Sequence, residues 1–147
     1  MERRNMKAIT GLLLSIFLGL TTTAFAGENP LTLTVNVKGI EKQEGSIRVA
    51  LYDQTKTFLT KNWLVGKVAE ANAPEVTLIF EGLKRGNYAV SIFQDYDNNE
   101  ELDKNFVGAP TEPYAFGNDA FGIFGPPSFE ESTITLSETQ EITINLR

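Results

Sequence analysis

Hydrophobic and polar residues alternate strictly along "LTLTVNVKG". Leu31, Leu33, Val35 and Val37 fall on one side of an extended chain, and Thr32, Thr34, Asn36 and Lys38 fall on the other. Successive strand side chains point to opposite faces, so this pattern predicts a half-buried strand. "GSIRVALYD" repeats the pattern with Ile47, Val49 and Leu51 inward. The polar "IEKQEG" between them ends in Gly45 and predicts a hairpin loop. "EVTLIFEGL" alternates through Val76, Leu78 and Phe80. In "GNYAVSIFQD", Tyr88, Val90 and Ile92 share one face while Ala89, Ser91 and Phe93 share the other; two apolar faces predict a central strand. "STITLS" and "QEITINLR" supply Ile134, Leu136, Ile142, Ile144 and Leu146, with a tight reversal expected at "SETQ".

Between Gln54 and Ala73 the alternation breaks down. "QTKTFLTKNW" predicts a short helical turn, and "LVGKVAEANAP" reads as a strand or an irregular edge. There is no long amphipathic helix. About seven short strands with turn signals roughly every ten residues predict an all-β chain folded as a single antiparallel β-sandwich, with a closed barrel as the alternative.

The N-terminal segment reads as an address. Arg3, Arg4 and Lys7 precede the apolar run "GLLLSIFLGL", and Ala24-Phe25-Ala26 fits signal-peptidase cleavage before Gly27. The apolar run is about 12 residues, short of the roughly 20 a membrane span needs, so a cleaved signal peptide (1–26) is favoured over an anchor. Met6 also opens a complete signal peptide, and no cysteine follows the run to take a lipid. A periplasmic or secreted domain, 27–147, is expected.

The whole chain carries 13 basic and 19 acidic residues. The leader takes three of the former and one of the latter, leaving 10 against 18 in the expected mature domain. Such acidity repels phosphate backbones and anionic surfaces, so nucleic acid is not an expected partner. Histidine and cysteine are both absent. That excludes disulfides, the usual zinc, copper and haem ligand sets, and hydrolases that need a histidine base. Oxygen ligation, which suits calcium, remains.

"FQDYDNNEELDKNF" places Asp95, Asp97, Asn99, Glu101 and Asp103 at every second position, the spacing of a calcium loop. An EF-hand is a poor match, because the sixth position is Glu100 instead of Gly and the twelfth is Phe106 instead of Glu. Side chains two apart on a straight strand sit about 6.5–7 Å apart, so the oxygens converge only if the chain curls. Glu100 opposes that curl by about 1 kcal/mol if it needs a left-handed angle. A solvated acidic turn is the competing reading. A catalytic carboxylate pair, Asp95 with Asp103 or Asp97 with Glu112, needs a separation of about 5–10 Å across a cleft.

"FEGLKRGNYAVSIF" resembles the F-x-x-L-x-x-G-x-Y signature of prealbumin-like and related immunoglobulin-like sandwich modules. Gly86 is expected to take a left-handed corner, Leu83 to plug the core, and the Tyr88 hydroxyl to cap backbone. "VGAPTEPYAFGNDAFGIFGPPSFEES" is more specific. With the acidic loop it resembles the bacterial exported family known as domain of unknown function 2141. That family pairs a D-x-N-x-N-G-x-L-D loop (here Asp95 to Asp103) with G-x-P-x-E-x-Y-x-F-x-N (Gly108 to Asn118) and F-G-P-P-S-F-E segments (from Phe124). The resemblance implies a signal peptide and one small β-sandwich, and no activity. Gly usually stands where this chain has Glu100.

The Gly- and Pro-rich stretch from Phe106 to Phe129 contains Phe106, Tyr114, Phe116, Phe121, Phe124 and Phe129. Structureless loops of this length are uncommon, so it is expected to be ordered, either as a flap covering one end of the sandwich or as a ligand groove. In the groove reading Tyr114, Phe116 and Phe121 stack on a sugar or peptide, with Asn118 and Asp119 supplying hydrogen bonds. Trp63 is expected to plug an edge. The expectation is a non-enzymatic envelope module with weak calcium binding and an envelope protein or glycan as partner. A carbohydrate-binding or glycan-hydrolysing protein is the alternative, and a subunit pairing through an edge strand a third reading.

Overall fold

A computed structural model describes residues 29–147. The expected signal peptide, its cleavage after Ala26 and the choice between Met1 and Met6 lie outside the described residues. The strands are β1 (Leu31–Lys38), β2 (Ser46–Tyr52), β3 (Val65–Glu70), β4 (Glu75–Leu83), β5 (Gly86–Asp95), β6 (Tyr114–Phe116), β7 (Thr133–Leu136) and β8 (Gln140–Asn145). They form two sheets, β4-β1-β8 and β3-β2-β5-β6, with β7 also pairing β5. The expected all-β sandwich is therefore present, with eight strands where about seven were anticipated. The extra one is the three-residue β6.

The inward residues are those the alternation selects. Leu33, Val35, Val37, Ile47, Val49, Leu51, Phe80, Val90, Ile92, Leu136 and Ile144 are buried in one core between the sheets. β5 is central, pairing β2 on one side and both β6 and β7 on the other. The partners of β1 and β2 differ from expectation. β1 pairs β4 antiparallel and β8 parallel, whereas β2 lies in the other sheet. "IEKQEG" thus crosses between the layers instead of closing a hairpin, and "SETQ" likewise carries the chain from β7 in one sheet to β8 in the other. Gln94, fully buried at the end of β5, ties down the first crossing by donating from Nε2 to the carbonyls of Lys42 (2.7 Å) and Glu44 (2.8 Å).

The corner before β5 forms as its motif implies, with one change. Leu83 is buried and the Tyr88 hydroxyl donates to the Lys84 carbonyl at 2.8 Å. The left-handed residue is Gly82, φ +76°, and not Gly86. Near Gln54 the expected helical turn is a single 3-10 turn, Thr55–Thr57. The chain after it lies over the outer face of the larger sheet. There Phe58 packs edge-on against Tyr52, Phe116 and Phe129, with ring centroids 5.4, 6.3 and 5.9 Å away. Trp63 rests with its indole over Gly66 of β3, half exposed, so it covers that edge only in part. At the same open edge Lys67 shares the core-facing side with its partner Val49 and reaches over the Phe80 ring at 5.8 Å. No helix among the described residues is long and apolar enough to cross a membrane.

Candidate cation site at the end of β5

Asp95 is the last residue of β5 and points to the outer face of the larger sheet, beside Ser46 of β2. Its side chain is fully buried, and burial alone raises a carboxyl pKa. The N–H of Glu100 (3.0 Å), the Arg48 guanidinium (Nε, 2.6 Å) and the N–H of Asn99 (3.1 Å) outweigh burial and hold it below the ordinary carboxylate range. These bonds shape the loop. They draw residues 99 and 100 back over the strand end, and Asn98 (φ 58°) and Glu100 (φ 70°) take the left-handed angles the curl requires. The strain expected at Glu100 is thus accepted, and its own N–H bond to Asp95 offsets it.

Glu112 enters from the far end of the loop. It is buried, and its two oxygens accept from the N–H of Tyr96 (2.7 Å) and of Asp103 (2.9 Å), lacing the loop's start to its middle. Asp95, Asp97 and Glu112 each present one carboxylate oxygen, and the three lie within 4.8 Å of one another. Calcium–oxygen bonds are about 2.3–2.6 Å, so oxygens sharing one ion lie no more than about 5 Å apart. Hydrogen bonding leaves capacity for an ion. Each Glu112 oxygen accepts one bond, as does Oδ1 of Asp95, and a carboxylate oxygen has two lone pairs.

The five residues expected as ligands divide accordingly. Asp95 and Asp97 converge, with Glu112 as third member. Asn99 is a cross-tie, donating from Nδ2 to Asp97 (3.1 Å) and Asp103 (3.1 Å) while its own oxygen accepts from the Glu101 N–H (2.8 Å). The Asp103 carboxylate meets the group only through that amide, its N–H being the one that Glu112 caps. The Glu101 carboxylate turns away to Lys61 (2.8 Å), which lowers its pKa and raises that of the lysine. Glu112 had been considered only as a catalytic partner of Asp97. Its signal lay in the Glu of the Gly108–Asn118 segment, not in the alternating loop.

The aromatic segment is ordered, and Tyr114, Phe116 and Phe121 line one shallow depression together with Asp119 and Arg147. Phe116 is buried, and Tyr114 is half-buried with its ring 5.8 Å from that of Phe116. Asn118 spends its amide on the carbonyls of Glu131 (3.2 Å) and Thr133 (2.7 Å). Asp119 accepts from the Asn145 N–H (3.1 Å). Of the four expected ligand contacts only Phe121 shows its ring widely to solvent, 5.9 Å from the Arg147 guanidinium. Phe106 and Phe124 are 100 % and 102 % exposed, so they cover nothing.

Fold and site together describe a small β-sandwich with carboxylates gathered at one strand exit. The chain belongs to the family DUF2141, described as uncharacterized protein conserved in bacteria, whose model matches residues 35–145. Neither a curated protein nor a solved structure matches the chain.

Proposed function

We propose that this chain is an exported, non-enzymatic envelope module that binds calcium weakly at the end of β5, through Asp95, Asp97 and Glu112. The observation that carries the reading is the convergence of those three oxygens within 4.8 Å. All-oxygen ligation suits calcium, and affinity in the range of about 10⁻⁴–10⁻³ M matches extracellular modules. The leader in the sequence supports export. The non-enzymatic reading is supported by the absence of His and Cys and by the hydrogen bonds to Asp95 from backbone N–H groups and Arg48, which favour its ionised form over a proton-shuttling one.

Thermal unfolding in EDTA and in calcium tests the site. Calcium at tenfold excess over Kd stabilises the native state by about 1.4 kcal/mol if it binds only that state. The gain is expected in the native chain and absent in Asp97→Asn. Superimposable melts with EDTA and with 10-fold serial additions of calcium up to the millimolar range, as the affinity above requires, would remove the proposal.

A further inference from the structure

A second, separate site lies on the other side of the acidic loop. Beside the ends of β2 and β3 is an open cleft of about 480 Å³, within the size range of small-molecule sites. Much of its lining is polar. Gln43, Asn72 and Asn98 all face it, and none spends its side chain on a hydrogen bond with another described residue. The carboxamides of Asn36, Gln94, Asn99, Asn105 and Asn118 are committed to the fold, whereas those of exposed Gln54 and Asn62 are, like these three, without a described partner. Glu70 adds a carboxylate to the rim. Ser46 lines the cleft only 6 % exposed, and its hydroxyl is buried with no hydrogen-bond partner. Ser132 Oγ and Gln94 Oε1 are buried without a partner as well, and neither lines the cleft.

We propose that this cleft is a binding site for a neutral saccharide. The charges decide the class. Arg48 lines the cleft, but its guanidinium already faces both Asp95 (2.6 Å) and Glu100 (3.4 Å), leaving no net positive charge for an anion. Glu70 and the acidic loop repel anions further. Three carboxamides and a carboxylate line one cleft and offer both donors and acceptors, which matches the vicinal hydroxyls of a sugar. The openness of the cleft fits a chain end or a single unit of an oligosaccharide. Gly45 keeps the floor low: a Cβ there would lie 2.0 Å from the Asp95 carbonyl oxygen, so the layer crossing presses directly on β5. The site differs from the aromatic segment; it borders the acidic loop through Asn98 and Arg48, while Gln43, Glu70 and Asn72 lie outside the carboxylate group.

The test uses the described domain with maltohexaose, cellohexaose and chitohexaose as neutral probes and polygalacturonate as the acidic one, each titrated to millimolar concentration by calorimetry and by amide chemical-shift mapping. At least one neutral hexasaccharide is expected to bind and to shift the amides of Ser46, Val68 and Asn72. The double variant Gln43→Ala, Asn72→Ala should weaken binding at least tenfold with an unchanged melt, both side chains being exposed. The proposal is overturned if no neutral probe binds, if polygalacturonate binds in preference, or if the double variant binds as tightly as the native chain. Asp97→Asn, which tests calcium, should leave saccharide binding in place, so the two proposals fail separately.

Discussion

Two long excursions, residues 96–113 between β5 and β6 and 117–132 between β6 and β7, flank the same side of β5, and they differ in what is buried. The Asp95 and Glu112 carboxylates that cap N–H groups of the first are buried, whereas those that cap N–H groups from the second, Asp119 and Glu131, are exposed. In the first, buried carboxylates collect backbone N–H groups: Asp95 takes those of Asn99 and Glu100, and Glu112 takes those of Tyr96 and Asp103. In the second, the neutral amide of Asn118 bridges two carbonyls, and the Phe129 ring packs on Phe58. Each device satisfies a chain that has few ladder bonds of its own. The residue left over differs. An amide that bridges carbonyls has spent its donors. A carboxylate that caps N–H groups keeps lone pairs and its charge, and those can be turned on a cation.

The comparison breaks first at Asp95. Asp95→Ala removes the caps of two N–H groups and leaves the Arg48 charge, whose side chain is 21 % exposed, with only the exposed Glu100 carboxylate at 3.4 Å. Losing one partner of a buried pair costs about 3–5 kcal/mol, so urea unfolding should show a loss toward that size. On the other excursion, Asn118→Ala should cost about 1–3 kcal/mol, because it unpairs two carbonyls and places Ala at φ 59°. If the second loss exceeds the first, the carboxylates are not the stronger closure. Acid unfolding sharpens the same point. The Asp95 pKa is lowered in the fold, so its contribution is present above the unfolded value and disappears as pH falls through the depressed folded one. Asp95→Asn should flatten that acid limb while leaving stability near pH 7 less pH-dependent. Glu100→Gly should stabilise by about 1 kcal/mol through relief of the left-handed angle, and the melt would rise. Smallest of all, Phe106→Ser should change stability by no more than about 0.5 kcal/mol, since the ring touches nothing.

Alternation made the faces of β1, β2, β4 and β5 legible, because burial on one side is all that period two records. It could not report neighbours. The polar link after Lys38 looks the same whether it turns back beside β1 or crosses to the other layer, and the choice is settled by Gln94, a buried residue far along the chain. β6 escaped notice because three residues carry no period. The candidate site was legible at Asp95 and Asp97, where spacing is local. Glu112 was not, since its part depends on the loop folding back on itself. In the aromatic stretch composition cannot say which rings are enclosed: Phe116 is buried against Phe58, whereas Phe106 and Phe124 stand in solvent.

Lys67 gives the open flank of the larger sheet a further property. A neighbouring molecule adding a strand alongside β3 would have to enclose an ammonium that now leans over Phe80, and would displace it from that ring without offering it water. Lys67 therefore opposes the addition of a further strand along β3.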